Sequence, residues 1–142
     1  MNRTTWFGGV DVPATKITDA ETSEISVKKQ TSTQPRLVAS GSHRAERDEK
    51  FAKELGEHEL VRMGSSLKAC IVAEGSADLY PRFGPTSCWD IAAAHAVVEA
   101  AGGSSYHPVR TLVYDLVDEV LNPYFLVASS TKWNDIWAQN QN

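Results

Sequence analysis

The chain has 142 residues, of which 42% are hydrophobic and 23% are charged, and its formal net charge is -4 at neutral pH. This length suffices for one ordinary domain with its own core, and the composition is typical of a folded protein. The negative charge argues against broad electrostatic binding of nucleic acid, and no apolar run approaches the roughly 20 residues that span a bilayer. An anionic ligand would therefore have to be bound locally, by a few cations in one site.

The first 40 residues predict β-structure. Short β-branched or aromatic runs, separated by glycines and polar residues, predict strands at TTWFGG, VPATKIT, EISVKKQ and RLVAS. RAERDEKFAKELGEH then carries helix formers with Phe51, Ala52 and Leu55 on one side, and Gly56 is a natural C-terminal stop. LVRM follows as a short strand or connector.

Helices and strands alternate in the second half of the chain. GSSLKACIVAEG predicts a helix capped by Ser65 or Ser66, SADLYPRFGPT a strand that runs into a loop, residues 88–101 a long helix, and LNPYFLVAS the last strand. The tail predicts one or two helical turns with Trp133 and Trp137 on the same face. This alternation predicts a layered α/β architecture.

The two cysteines, Cys70 and Cys88, lie in apolar helical contexts and lack the paired spacing of a zinc site. The N-terminal stretch MNRTTWFGGV has no charged-then-apolar secretory pattern. We therefore expect two reduced core thiols in a cytoplasmic protein, with a disulfide as the alternative.

Asp90 is the first candidate site residue. Ser87 followed three residues later by Asp90 fits a capping box, and the helix dipole favours an acid in the first turn. A capping role accounts for Asp90 when the motif is taken by itself, and a metal-binding role stays open beside it.

Three further residues indicate an anion site. Lys68 in GSSLK falls in the first turn of its predicted helix, beside two hydroxyls and exposed backbone N–H groups, which indicates a phosphate pocket, with a solvated lysine and a serine cap as an equally open alternative. His43 in GSHR follows a strand, where α/β sheets tend to bind ligands, and could stack on a ring. Arg82 in YPRFG also ends a strand and could bind phosphate with its planar fork. For His43 the alternative is a surface or structural histidine, and for Arg82 it is a solvated arginine.

The segment GSSLKACIVAEGSADLYPRFGPTSCWDIAAAHAVVEAAGG resembles the second signature of the inositol monophosphatase superfamily, a Trp-Asp pair followed by an Ala-rich helix that ends in Ala-Gly-Gly. SGSH, LGEHE, GSSLK, LYPRFGPT and LNP occur in the order of its CysQ-type branch, the 3'(2'),5'-bisphosphate nucleotidases. The resemblance implies the C-terminal half of a layered α/β sandwich, the inositol monophosphatase-like (sugar phosphatase) fold. Residues 1–34 would be a partial β-rich remnant of the N-terminal subdomain and residues 35–142 the C-terminal α/β subdomain.

The resemblance also implies a Mg²⁺-dependent phosphomonoesterase that converts adenosine 3',5'-bisphosphate to AMP and phosphate. Asp90 matches the family's C-terminal metal ligand, and His43, Ser65, Lys68 and Arg82 match positions that bind the nucleotide in this branch. In inositol-preferring relatives the position of Arg82 resembles an acid suited to sugar hydroxyls. A cation there suits a second phosphate, so a nucleoside bisphosphate is the expected substrate and an inositol phosphate the alternative.

The other metal ligands that the resemblance implies have no counterpart in the sequence. The family's Asp-Pro-(Ile/Leu)-Asp-Gly-Thr motif is absent, since VDVPAT at 10–15 lacks the second acid and the Gly-Thr. One carboxylate does not hold Mg²⁺ in its octahedral geometry, so we expect this truncated chain to be inactive alone. We also expect an unpaired sheet edge that a separate N-terminal half or a second copy covers. A nucleotide-binding module without turnover and a purely structural fragment are the remaining alternatives.

Overall fold

The computed structural model describes residues 3–29, 34–39, 46–106 and 121–140. Its strands, in chain order, are β1 (Thr4–Gly9), β2 (Val12–Thr18), β3 (Thr22–Glu24), β4 (Arg36–Ala39), β5 (Glu59–Arg62), β6 (Leu79–Arg82), β7 (Thr86–Ser87), β8 (Ser104–Tyr106), β9 (Leu121–Asn122) and β10 (Phe125–Ala128). Its helices are α1 (Glu46–Leu55), α2 (Leu67–Ala73), α3 (Cys88–Ala100) and α4 (Asn134–Gln139), the last preceded by a 3-10 turn at Thr131–Trp133. No helix in these ranges is both long enough and apolar enough to span a membrane.

The strands form three sheets. β1, β2 and β3 make an antiparallel meander in which Thr5 faces Ile17 and Phe7 faces Thr15. The largest sheet has the order β5-β4-β6-β10-β8, with β4 parallel to both β5 and β6 and with β10 antiparallel to β6 and β8. β7 and β9 form a separate antiparallel pair.

The five-stranded sheet carries a helical layer on each face. Along β10, Phe125 and Val127 enter the apolar cluster of α2 and α3, whereas Leu126 and Ala128 enter the cluster of α1 and α4. Side chains that alternate along a strand point to opposite faces of the sheet. The helices therefore lie on both sides of the sheet.

The three-stranded sheet covers the other side of α3. Trp6 and Ala14 join the α2–α3 cluster, and a Cβ added to Gly8 would lie 3.0 Å from the Cβ of Ala100 in α3. The helix α3 is thus packed between two sheets. This arrangement confirms the predicted layered α/β sandwich.

Most predicted elements are present, within a residue or two of their predicted bounds. The helix before Gly56 ends at Leu55, and Gly56 has the left-handed φ of +82° that suits a glycine after a helix. Trp133 and Trp137 are both buried in the α1–α4 cluster. Cys70 and Cys88 are buried free thiols, as expected.

Two strand predictions were wrong in extent. EISVKKQ was expected to be a strand, but β3 ends at Glu24 because the chain then leaves the sheet, and the Val27 N–H donates to the carbonyl of Ala101 beyond α3. LNPYFLVAS was expected to be a single strand, but it is divided at Pro123, with β9 paired to β7 and β10 placed in the large sheet. The short strand β8 had no recognisable sequence signal.

Candidate functional site

A polar cleft opens where β6 ends and where α2 and α3 begin. Its volume is about 440 Å³. The residues that line it are Ser65, Ser66, Lys68, Tyr80, Arg82, Thr86, Trp89, Asp90 and Ile91. Four of the five predicted site residues, Ser65, Lys68, Arg82 and Asp90, therefore come together in one place. The fifth, His43, lies outside the described residues.

Lys68 is a buried cation at the second position of α2. Its side chain is only 5% exposed, and its Nζ lies 5.4 Å from the centroid of the Tyr80 ring, which offers a cation–π contact. Burial and the positive charge of Arg82 lower the pKa of Lys68, and the charge of Asp48 opposes that shift. The alternative of a solvated surface lysine is therefore wrong.

Arg82 occupies the last position of β6. Its Nη2 donates to the carbonyl oxygen of Pro85 at 3.3 Å, whereas its buried Nε has no partner among the described residues. Burial raises the pKa of the neighbouring Tyr80, while the charge of Arg82 and a hydrogen bond from it act in the opposite direction. The Tyr80 hydroxyl thus stays protonated in the physiological range and remains a hydrogen-bond donor.

The serines before α2 do not form the predicted side-chain cap. Ser66 occupies the N-cap position, but it has helical dihedral angles (φ -61°, ψ -13°) and makes no capping hydrogen bond. An N-cap residue normally needs extended angles to turn its oxygen back onto the first turn. Ser65 has a positive φ of 62°. Both hydroxyls therefore line the cleft without closing the helix end.

Asp90 caps α3 in the predicted way. Ser87 is the N-cap with extended angles, and its backbone N–H donates to Oδ2 of Asp90 at 2.9 Å. Asp90 is nevertheless exposed and lines the cleft. The cap fixes one carboxylate oxygen and leaves the other available to a ligand.

The described residues of the cleft do not form a magnesium site by themselves. Asp90 is the one acid among the described residues that line the cleft. No group of three or more His, Cys, Asp or Glu side chains that could hold a metal ion occurs within the described ranges. Mg²⁺ is bound through one or two carboxylates together with waters and phosphate oxygens. Within the part of the chain that the structure describes, the residues therefore supply part of such a site.

Sequence reasoning missed Tyr80, Thr86 and Trp89. Trp89 is 70% exposed, which is unusual for an indole. Tyr80 and Thr86 are buried. These three residues stand in the motifs LYPRFGPT and Trp-Asp that carry the family resemblance, but the sequence assigned them no role, because that role depends on the fold that brings β6, β7 and α3 together.

The sequence pattern of the Inositol monophosphatase family matches residues 6–138. The chain belongs to this family. It is 49% identical over 94 residues to the 3'(2'),5'-bisphosphate nucleotidase CysQ of Salmonella typhimurium, a match that covers 66% of this chain and 38% of that protein. It is 47% identical over 95 residues to the protein of that name from Escherichia coli K12, covering 66% and 39%. The chain thus spans less than half of the length of these curated relatives.

Solved structures of the family have the same architecture. Crystalline CysQ from Bacteroides thetaiotaomicron is 34% identical and superposes with a TM-score of 0.72, covering 83% of this chain and 51% of that one. SuhB from Mycobacterium tuberculosis is 18% identical with a TM-score of 0.71, covering 97% and 54%. The similarity to SuhB shows the fold alone. Both confirm that the α/β layers described above are those of the inositol monophosphatase fold.

Proposed function

We propose that this chain provides the nucleotide-binding part of a Mg²⁺-dependent phosphomonoesterase of the 3'(2'),5'-bisphosphate nucleotidase type. Its reaction would be the hydrolysis of adenosine 3',5'-bisphosphate to AMP and phosphate. Membership of the family and the names of the CysQ relatives support this proposal. The single observation that carries it is the pair of cations, Lys68 and Arg82, in one cleft with Asp90.

Two neighbouring cations suit a ligand with more than one negative group. A buried lysine whose charge is disfavoured by burial and by an arginine gains most when an anion enters the cleft. Lys68 and Arg82 would bind the phosphate that is not cleaved, through charge-assisted hydrogen bonds. Ser65 would donate its hydroxyl to the nucleotide, and His43 would contact the nucleotide as well.

Asp90 would be one of the ligands of Mg²⁺. When bound, the metal would activate water and stabilise the leaving oxygen of the phosphate ester. The described cleft residues include a single acid, and the sequence lacks the Asp-Pro-(Ile/Leu)-Asp-Gly-Thr motif, so we take the further carboxylates to come from another chain. For this reason, we propose that the 142-residue chain binds the nucleotide but does not turn it over alone.

The partner that supplies those acids would cover the outer edge of β1. Within the described residues no strand pairs with that edge, and it borders a groove floored by Leu67, Cys70 and the small residues Ala93 and Ala96. Phe7 in β1 and Ile17 in β2 are exposed on the three-stranded sheet. An unpaired strand edge is a template for another strand. An N-terminal half of a family member is the proposed occupant, and a second copy is the alternative.

The decisive experiment measures Mg²⁺-dependent phosphate release from adenosine 3',5'-bisphosphate. It compares this chain alone with the chain mixed with the N-terminal half of a CysQ relative. Activity in the mixture only, lost again when Asp90 is changed to Asn, is the expected result. Activity of the chain alone would contradict the metal argument. Inositol monophosphate as a parallel substrate tests the alternative within the family.

Binding without turnover is the second candidate function. It is supported by the two cations, Lys68 and Arg82, which line the cleft together with a single acid among the described residues. No phosphate release by the chain alone or by the mixture, together with measurable affinity for the bisphosphate, would favour this function. Light scattering during the mixing experiment measures assembly. A purely structural role predicts assembly without nucleotide binding, whereas a binding module predicts nucleotide binding.

A further inference from the structure

Thr86 lies in the cleft on the short strand β7. It is 8% exposed and lines the same volume as Lys68 and Arg82. In the antiparallel pair of β7 and β9, Thr86 is directly opposite Asn122. Thirty-six positions separate the two residues along the chain, so their contact is a product of the fold.

The hydrogen bond between these two residues has a defined direction. Nδ2 of Asn122 donates to Oγ1 of Thr86 at 3.2 Å. The side-chain amide nitrogen of Asn can only donate, so Oγ1 of Thr86 is the acceptor in this hydrogen bond. The hydroxyl hydrogen of Thr86 must therefore point away from Asn122. Among the described residues, no hydrogen bond has the Thr86 hydroxyl as its donor. A buried donor without an acceptor destabilises the protein. The Thr86 hydroxyl is therefore available to donate its hydrogen to a ligand.

The surroundings of this hydroxyl select the ligand group. Lys68 and Arg82 are donors only, so they attract acceptor oxygens and repel other donors. A phosphate oxygen accepts without donating, whereas a sugar hydroxyl does both. The Thr86 hydrogen is thus matched to the same kind of oxygen as the two cations.

We propose that Thr86 donates its hydroxyl hydrogen to a phosphate oxygen of the bound ligand, and that Asn122 is the positioning residue that fixes this direction. The proposal rests on the proposed function, since it assumes that a nucleoside bisphosphate occupies the cleft. It adds a neutral donor to the two cations. It also gives β9 a role in the site although this strand does not line the cleft.

Calorimetric titration of the full chain with adenosine 3',5'-bisphosphate, AMP and adenosine tests the proposal. Thr86→Val removes the hydroxyl at nearly constant shape and should weaken bisphosphate binding about tenfold. Thr86→Ser keeps the hydroxyl and should stay within about twofold of the wild type. The matched control is Thr15→Val, at a buried threonine whose hydroxyl donates to the carbonyl of Pro13 away from the cleft.

Asn122→Leu tests the direction of the hydrogen bond. It keeps the proposal testable even if the Thr86→Val variant does not fold. Loss of the orienting donor should weaken bisphosphate binding about threefold. Tighter binding would mean that the threonine donates to the asparagine in the free protein, which overturns the proposal. Unchanged binding by Thr86→Val, or an equal loss for adenosine, would overturn it as well. A wild-type chain that binds no nucleotide would refute the proposed function and this inference together.

Discussion

Lys68 and Arg82 bring two positive charges to one cleft, and burial together with the charge of Arg82 lowers the pKa of Lys68. Like charges that approach each other in a partly buried place destabilise the free protein. The same arrangement stabilises a complex with an anion, because the anion relieves both the repulsion and the desolvation. The cleft is therefore better suited to a bound phosphate than to water.

The pH dependence of anion binding follows from this pair. The free site releases the Lys68 proton below the ordinary value of 10.5, whereas a bound phosphate raises the pKa again. The affinity for adenosine 3',5'-bisphosphate should be full at neutral pH and fall about tenfold as the pH rises through the lowered pKa of Lys68. Titration calorimetry at a series of pH values measures this change.

Lys68→Arg is the control for the pH profile, because a guanidinium keeps its proton throughout this range. Its affinity should stay flat over the same interval. The folding stability of the wild-type protein should change with pH in the direction opposite to its affinity. The unfolded chain holds the Lys68 proton up to 10.5 and unfolding takes up a proton in the window below, so the contribution of Lys68 to stability rises with pH there. An affinity that increases with pH would contradict the assignment.

Lys68→Met should separate stability from binding. Methionine keeps the apolar stem of the side chain and removes a buried charge, so the free energy of unfolding should rise by about 1 kcal/mol. Bisphosphate binding should become undetectable. Urea denaturation and calorimetry of one preparation check both results. The equivalent change at Lys53, an exposed residue in the last turn of α1, should leave both quantities unchanged.

Arg82→Glu should reverse the ligand preference of the cleft. The new carboxylate would pair with Lys68 and raise its pKa, while it repels any phosphate placed between them. Bisphosphate affinity should fall at least 100-fold, whereas the affinity for adenosine should change little. Arg62→Glu, at the end of β5 and outside the cleft lining, makes the same charge change as a control. An equal loss in both variants would point to net charge instead of a local contact.

The elements that the sequence predicted well are those with a local signal. Ser87 and Asp90 are three residues apart, and the cap that they form depends only on the first turn of α3. The end of α1 likewise depends on one residue, Gly56, whose left-handed φ suits the position after a helix. These features could be predicted because the residues that decide them are neighbours in the chain.

The features that were missed depend on contacts across the fold. Thr86 is held by the pairing of β7 with β9, and the contact with Asn122 could not be read from the motif LNP alone. β8 consists of Ser104–Tyr106 and exists because β10 offers it an edge. The serine cap of α2 was predicted from residue type, and the helical angles of Ser66 overrode that preference. Non-local pairing is thus what a single sequence reveals least.

Gly103 should be intolerant of a side chain. A Cβ at this position would lie 2.9 Å from the Cγ1 atoms of Val27 and Val98 and 3.0 Å from the carbonyl oxygen of Ala128. Gly103→Ala should therefore lower the free energy of unfolding by about 1–3 kcal/mol, measured by urea denaturation. Gly9→Ala is the control because no atom lies within 4 Å of the added Cβ. Similar losses in both variants would contradict the role of the close contacts, because the lower entropy of the unfolded chain would by itself stabilise an alanine variant.

Asp90 should combine two separable roles. Asp90→Ala removes the acceptor for the Ser87 N–H and should cost about 1 kcal/mol of stability. Asp90→Asn keeps an oxygen at the same place and should cost about half of that, since only the favourable charge at the helix N-terminus is lost. Thermal unfolding measures both values.

The two variants should behave alike toward Mg²⁺, because each lacks the carboxylate that would bind the metal. Phosphate release by the mixture with an N-terminal half should be lost in both. Asp135→Asn provides the matched control, since Asp135 is an acid in the first turn of α4 and does not line the cleft. It should lose a comparable few tenths of a kcal/mol and no activity. If Asp90→Asn retained full activity in the mixture, Asp90 would be a helix cap alone and the metal would be bound elsewhere.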